Sequence, residues 1–275
     1  MERAPKICMV CGETDRKLLI KKDTWTVYRC TSCGHGYLDP RPSKDEIAEL
    51  YNKKYCNEHF VEGGKLGTPE FDKRLSLETH RIKFFRGIKK EGKVLDIGCG
   101  YGYFLAACRK YGYDVQGLDF SDWAVQHAVK NVGIPVITGE LNEVDLPAAD
   151  FDVITMWHSL EHNPDPENAI IQSKKWLKED GILIIDVPNH EGTDAQKYWE
   201  NWNGWDLPYH FHHFTFETLK ALLKTCGFCV IKTKNYHSEA VKMNLKRFPV
   251  ISIFARLIAK MYSGHSVAVV AKLRN

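Results

Sequence analysis

From residue 93 onward, short apolar runs alternate with longer stretches in which apolar residues recur every three or four positions. Residues 93–97, 114–119, 135–138, 151–157 and 181–187 read as strands, and 103–111, 121–132 and 165–178 as helices. Ser121 stands where a helix cap belongs, and Pro166 suits the first helical position. Strands that alternate with helices in this way predict an α/β architecture built on a mostly parallel sheet. Upstream, Ser43 and Glu46 form a capping box ahead of Ile47, Leu50 and Tyr51. Tyr55 and His59 follow in a polar stretch, and Gly63, Gly64 and Gly67 mark a loop. Thr68-Pro69 then opens a second helix with Phe71, Leu75, Ile82 and Phe85 as its buried stripe. These two helices either cover the mouth of the domain that follows or simply pack on it. The first forty-two residues have neither pattern: 17–22 and 24–29 read as a hairpin, closed off by Asp39-Pro-Arg-Pro42. The expected organisation is a small module (1–42), a helical linker or cap (43–92) and an α/β domain (93–275).

Hydrophobic residues at 44% and charged residues at 27% exclude a disordered or collagen-like chain. With 38 basic and 35 acidic residues, the net charge of +3 is too small for wholesale wrapping of nucleic acid. No apolar run is long enough for a membrane span, and the first residues lack a signal-peptide core. A cytoplasmic location is expected. There, paired cysteines point to metal or redox chemistry more than to structural disulfides.

The cysteines are paired. Cys8-x-x-Cys11 and Cys30-x-x-Cys33 are two knuckles, each followed by a glycine, Gly12 and Gly34. Two such turns offer four thiolates to one cation, which predicts a structural zinc ribbon with no open coordination position. Cys226-x-x-Cys229 has the same spacing without a second pair nearby, and reads as buried apolar cysteine.

The loop after the first strand of the α/β domain runs Asp96-Ile-Gly98-Cys99-Gly100-Tyr101-Gly102. A dinucleotide loop has its third glycine one residue later. A carboxylate at position 96 would repel phosphate and attract an ammonium group. S-adenosylmethionine (SAM) fits: it carries an ammonium, a sulfonium and no phosphate. Asp119 ends the second strand, where a carboxylate accepts hydrogen bonds from ribose hydroxyls. Gly139-Glu140-Leu141 ends the third, where an adenine edge would lie.

The segments 94–104, 117–121, 151–154 and 181–185 resemble, in order and spacing, the successive motifs of class I SAM-dependent methyltransferases. That resemblance implies a Rossmann-like seven-stranded sheet with a reversed final hairpin, supplied by 228–236 and 266–273. It also implies that Gly98, Gly100 and Gly102, with Cys99 and Tyr101 between them, border the methionine tail. Asp119 would hold the ribose, Phe120 and Leu141 would flank adenine with Glu140 beside them, and Asp96 would act on the amino group. Trp157 and His158 would line the cofactor pocket.

Methyl transfer needs an aligned acceptor and, where the acceptor is protonated, a base. The fourth strand ends in Trp157-His-Ser-Leu-Glu161-His162. This resembles the "LEH" motif of the branch that holds sugar C-methyltransferases and ubiquinone-type O-methyltransferases. His162 is then a base with Glu161 beside it, or a partner of the following turn. A second cluster holds Trp199, Trp202, Trp205 and Asp206-Leu-Pro-Tyr-His210-Phe-His-His-Phe214, with Thr215 capping a helix whose stripe is Leu219, Leu222 and Leu223. It reads as an acceptor pocket or lid, or as aromatics sealing the sheet, and makes His210 a second base candidate. A metal site of His210, His212 and His213 finds no carboxylate or cysteine at a usual ligand spacing. Residues 242–262 form an apolar and basic stripe that packs on protein or touches a membrane or lipid-like acceptor.

The expected function is methyl transfer from SAM to a small molecule: a sugar derivative, a quinone-like compound or a lipid intermediate. Two alternatives stand beside it. One is an rRNA methyltransferase with a zinc module, against which the ribbon has no dense basic run. The other is a non-catalytic recruitment protein on a vestigial SAM fold, against which the glycine loop and its acidic residues are intact.

Overall fold

A computed structural model describes residues 1–247 and 252–274. Two sheets are present. One has four strands in the order β1-β2-β3-β9: Arg16–Lys22 (β1), Trp25–Cys30 (β2), Gly36–Leu38 (β3) and His212–His213 (β9). The other has seven strands in the order β10-β11-β8-β7-β4-β5-β6. Its strands are Lys93–Ile97 (β4), Asp114–Asp119 (β5), Val136–Thr138 (β6), Phe151–Trp157 (β7), Leu177–Pro188 (β8), Phe228–His237 (β10) and Ser263–Leu273 (β11). The seven-stranded sheet is mostly parallel with a reversed final strand, the Rossmann-like arrangement expected for class I methyltransferases.

The chain divides into two compact units. Unit 1 comprises Met1–Ser43, His158–Glu167 and Asp186–Val269; unit 2 comprises Lys44–Trp157, Asn168–Ile185 and Val270–Asn275.

In unit 2, β4, β5 and β7 occupy the expected positions. They are held in parallel register, with Asp96 opposite Gly117 on one side and Thr155 on the other. Val94, Leu95, Phe151, Val153 and Ile154 are fully buried on these strands. The helix expected over 121–132 is shorter: α5 spans Asp122–His127 and passes into a wide turn at Ala128–Val132. Upstream helices are α1 (Lys44–Leu50), α2 (Lys53–His59) and α3 (Pro69–Phe85), followed by α4 (Tyr103–Lys110). Thr68 caps α3 by accepting from the Phe71 N–H, and Phe71, Leu75, Ile82 and Phe85 are buried as their spacing requires. Glu78 is also buried on α3; Arg74 and Arg81 both donate to its carboxylate. A helix interior tolerates a buried acid when two guanidiniums neutralise and hydrogen-bond it. Helix α6 (Pro166–Trp176) ends earlier than expected, because β8 already begins at Leu177.

In unit 1, β1 and β2 form the expected hairpin, with Arg16 opposite Cys30 and Lys22 opposite Trp25. Strand β3 adds to β2, and β9 adds to β3, pairing Gly36 with His213 and Tyr37 with His212. Asp39 ties the ends of this sheet: one oxygen accepts from the Ala4 N–H at 3.0 Å and the other from Arg16 at 2.7 Å. Helix α7 (Thr193–Tyr198) leads into the tryptophan segment, where Trp202 and Trp205 are buried edge to face and Trp199 is exposed. Thr215 and Thr218 form a reciprocal capping box on α8 (Phe216–Thr225), and Leu219, Leu222 and Leu223 are buried. Cys226 is buried, but Cys229 is exposed at the start of β10, which corrects the expectation that both are buried. Alternation along a strand turns the second thiol outward.

Among the described residues, 242–262 do not form one continuous helix. The described part holds the end of α9 (Glu239–Leu245) and α10 (Ala255–Ala259), which pack on each other through the buried Ala240, Ala255 and Ala259. Phe248 and Ile251 of the expected stripe lie outside the described residues. No helix among the described residues is long and apolar enough to cross a membrane.

Candidate functional site

The glycine loop of unit 2 follows from parallel register. Asp96 is 3% exposed, and Thr155 opposite it on β7 donates its hydroxyl to Oδ1 at 2.6 Å. Burial pushes the Asp96 carboxyl up to about 7; the Thr155 hydroxyl and the Arg81 charge pull down against it, and Glu78 and Asp119 add to the rise. A group so poised is readily ionised by a neighbouring cation.

Asp119 closes β5. Its Oδ2 accepts from the Gly100 N–H at 2.8 Å and its Oδ1 from the Ser121 N–H at 2.9 Å. Burial pushes its carboxyl up and those backbone donors oppose the rise. Two oxygens offer about four lone-pair sites, so both can still take a ligand hydroxyl. Gly100 sits at φ +52°, and a Cβ there would stand 2.8 Å from the Phe60 ring. The loop therefore needs glycine twice over, for its dihedral and for the ring lying on it.

The remaining expected cofactor residues divide by environment. Gly98 donates to the Leu118 carbonyl at 2.7 Å and Gly102 to Cys99 at 3.0 Å, which fixes the turn. The Cys99 side chain turns into the core, where a Cβ on Gly117 would meet its sulfur, so only its backbone borders the loop. Tyr101 is buried with its ring stacked 3.8 Å from His127. Trp157 is buried under the Arg81 guanidinium and edge-on to Phe104. Phe120 is 39% exposed against the edge of Tyr51, and Leu141 is buried. Glu140 pairs with Lys44 at 3.1 Å.

Sequence reading left open whether the helices before the α/β domain cover it. Within unit 2 they lie on the loop: Phe60 on Tyr101, Tyr51 on Phe120, and Cys56 against Ser121 at 3.6 Å. The Tyr103 hydroxyl accepts from the Gly63 N–H at 2.7 Å, which anchors the glycine-rich linker. The aromatic spacing 51, 55, 60 was the available signal.

Unit 1 holds two further clusters. In the ribbon, Sγ of Cys8 and Cys33 are 3.6 Å apart, and those of Cys11 and Cys30 are 3.5 Å apart. All four sulfurs lie within 4.8 Å of one another. Zn–S bonds of about 2.3 Å in a tetrahedron put sulfurs about 3.8 Å apart, so the four residues fit a zinc cage. Burial pushes the Cys30 thiol up, but the Cys33 and Ser32 N–H groups and the Cys11 thiol outweigh it and bring it down to about 7.

The second cluster lies after β7. His158 has φ +53°, a conformation that costs a non-glycine residue about 1–2 kcal/mol. Its Nδ1 stands 3.3 Å from Glu161 Oε1 and its Nε2 3.7 Å from Asp186 Oδ2, while Tyr236 donates to that same Oδ2 at 3.0 Å. Glu161 is fully buried, and neither carboxylate oxygen takes part in a hydrogen bond. His162 Nδ1 meets the Tyr209 carbonyl at 3.1 Å. His210 Nδ1 meets the Gly204 carbonyl at 2.9 Å, and its Nε2 stands 3.6 Å from Asp206 Oδ2. The two rings meet edge to face, 4.5 Å between centroids. Burial, then the neighbouring His162, lowers the His210 imidazole to about 4. His210, His212 and His213 do not gather. His212 Nδ1 faces His35 Nε2 at 3.0 Å, and His210, which precedes β9, joins Glu161 and His162 instead.

Comparison with known proteins agrees with this geometry. A family model described as a methyltransferase domain matches residues 71–233, more than half of the chain. The ubiquinone biosynthesis O-methyltransferase of Haemophilus ducreyi is 39% identical over 108 residues, which cover 35% of this chain and 45% of that protein. A probable S-adenosylmethionine-dependent methyltransferase of Mycolicibacterium smegmatis is 28% identical over 145 residues, 51% of this chain and 53% of that protein. The chain thus spans about half the length of these relatives. Among solved structures, a SAM-dependent methyltransferase from Archaeoglobus fulgidus superposes with a TM-score of 0.55 at 23% identity, covering 74% of this chain and 94% of that one. That likeness is one of fold. With the matched model spanning the glycine loop, both buried aspartates and the segment after β7, the chain belongs to the methyltransferase-domain family and carries the class I SAM-dependent methyltransferase fold.

Proposed function

We propose that the chain transfers a methyl group from SAM to a small-molecule acceptor, of the class of a quinone-like compound, a sugar derivative or a lipid intermediate. The observation that carries the reading is the pair of buried carboxylates, Asp96 and Asp119, at the ends of adjacent parallel strands beside a glycine turn. Such a pair repels phosphate and suits a phosphate-free, cationic nucleoside. The ubiquinone-type relatives support a small acceptor.

SAM supplies an electrophilic methyl on a cationic sulfur. The chain's own residues do the rest. The backbone of Gly98–Gly102 borders the methionine portion, with Asp96 acting on the ammonium. Asp119 accepts from the ribose hydroxyls, Phe120 and Leu141 flank the adenine with Glu140 at its edge, and Trp157 and His158 line the pocket. Glu161, His162 and His210 assist loss of the acceptor's proton. A zinc ion in the Cys8, Cys11, Cys30 and Cys33 cage is structural, because four protein ligands leave no position for substrate. Cysteines set in two C-x-x-C knuckles suit metal binding in the cytoplasm, the expected location. The exposed Phe254, Leu257 and Met261 support a weak contact with lipid through 242–262, which liposome flotation tests by retention of the protein with the vesicles.

Titration calorimetry with SAM and S-adenosylhomocysteine tests the central reading. Binding of both is expected, with no heat from NADH; absence of SAM binding, or NADH binding in its place, overturns it.

A further inference from the structure

Glu161 poses a question that methyl transfer alone does not answer. A carboxylate buried to 0% exposure with no hydrogen bond to either oxygen is costly unless a cation compensates it. His158 Nδ1, 3.3 Å from Oε1, makes no hydrogen bond to it and pairs with it only when its ring is protonated, a charge it shares with Asp186 at 3.7 Å. His162 and His210 each offer a ring nitrogen that, with a Glu161 oxygen, forms a group of ligand atoms all within 4.8 Å of one another.

The surroundings of the two histidines have the form that metal sites take. Each ring directs Nδ1 at a backbone carbonyl, Tyr209 for His162 and Gly204 for His210. A carbonyl only accepts, so Nδ1 carries the hydrogen and Nε2 carries the lone pair. Metal-bound histidines are oriented by such a second hydrogen bond. The Phe211 N–H donates to the Glu161 carbonyl at 2.9 Å, which holds the two segments in register. Asp206 Oδ2, 3.6 Å from His210 Nε2, brings a further oxygen to the edge of the group.

We propose that Glu161, His162 and His210 form a second metal site, for a divalent first-row transition ion, separate from the cysteine cage. Two imidazoles and a carboxylate suit zinc, manganese, iron(II) or cobalt(II), and leave open positions for an acceptor oxygen. An acceptor hydroxyl bound there loses its proton more readily. That role rests on the methyl-transfer reading; the presence of the site does not. It also says how the two histidines assist deprotonation: as ligands.

The test is titration of cobalt(II) into the full-length, zinc-loaded protein, with no SAM and no acceptor present. Wild type is expected to take up one further equivalent. Glu161→Gln and His210→Gln are expected to weaken that uptake at least about a hundredfold. Both variants should keep the metal of the cysteine cage and bind S-adenosylhomocysteine as wild type does, which shows that they are folded. No uptake by wild type, or undiminished uptake by folded Glu161→Gln, overturns the proposal. Because SAM binding is measured separately, failure here leaves the methyl-transfer reading standing, and failure there leaves the metal site standing.

Discussion

The glycine loop of unit 2 and the histidine cluster of unit 1 are built by opposite strategies. The loop is local: Asp96 to Asp119 is one strand, turn, helix and strand, and its shape rests on backbone N–H groups, such as that of Gly100 donating to Asp119. The cluster is assembled: Glu161 and His162 come from the turn after β7, while His210, Asp206 and the carbonyls of Gly204 and Tyr209 come from more than forty residues later. A local site announces itself in sequence. An assembled one shows its members one by one, as with Glu161, His162 and His210, but not that they meet, because they share no spacing.

This contrast makes substitutions separable. The largest effect is expected in the ribbon, whose strand β3 supports the cluster through the Leu38 N–H to the Phe211 carbonyl at 2.9 Å. Cys30→Ser should release one zinc per chain and unfold β1–β3, since structural zinc contributes on the order of 10 kcal/mol to such modules. Metal analysis with hydrogen exchange at Leu38 and Phe211 checks it, and unchanged protection at Phe211 would break the link to the cluster. Next, His162→Ala and His210→Ala should slow the chemical step by about 10²-fold or more in single turnovers, whether the rings act as ligands or as bases. SAM affinity should stay near wild type. A change confined to affinity would erase the division of labour drawn here.

Substitutions in the loop should show the reverse. Asp119→Ala is expected to weaken SAM binding by about 1–3 kcal/mol, read by calorimetry. Gly100→Ala should cost about 1–2 kcal/mol of stability, from its positive φ and the Phe60 ring, read by denaturant unfolding. The smallest effect is a pH dependence. Asp96 titrates near 7 in the fold and near 3.8 when unperturbed, so it is neutral below 7 and ionised above. An ammonium pairs with the ionised form, so SAM affinity should rise as pH passes upward through 7 and flatten in Asp96→Asn. Between about pH 4 and 7 the unfolded chain has already released this proton while the fold still holds it, so the ligand-free fold loses stability as pH rises through that range.

Legibility in the sequence followed the same division. β4, β5 and β7 were readable because their apolar runs are bounded by polar turns and their register repeats. Thr68 and Thr215 were readable as caps because capping is local. The two-residue strand β9 carries no periodicity at all, and its pairing with Gly36 and Tyr37 arises only in three dimensions. Glu78 reads as a solvated helix residue until Arg74 and Arg81 are seen to enclose it. Phe60 follows a polar stretch and belongs to no apolar pattern, yet its ring lies on Gly100. The carboxylate missing from the 210–213 histidines was present all along at 161, in a different segment.

The pairing of β3 with β9 also governs how this molecule is made. His35 and His212 touch across 177 positions of chain. On a ribosome, the cysteine knuckles emerge long before the strand that completes their sheet. Until His212 and His213 arrive, the β3 edge is bare, a surface that invites pairing with a neighbouring nascent chain. Early metal capture by the knuckles would keep that half-finished sheet in order while synthesis catches up.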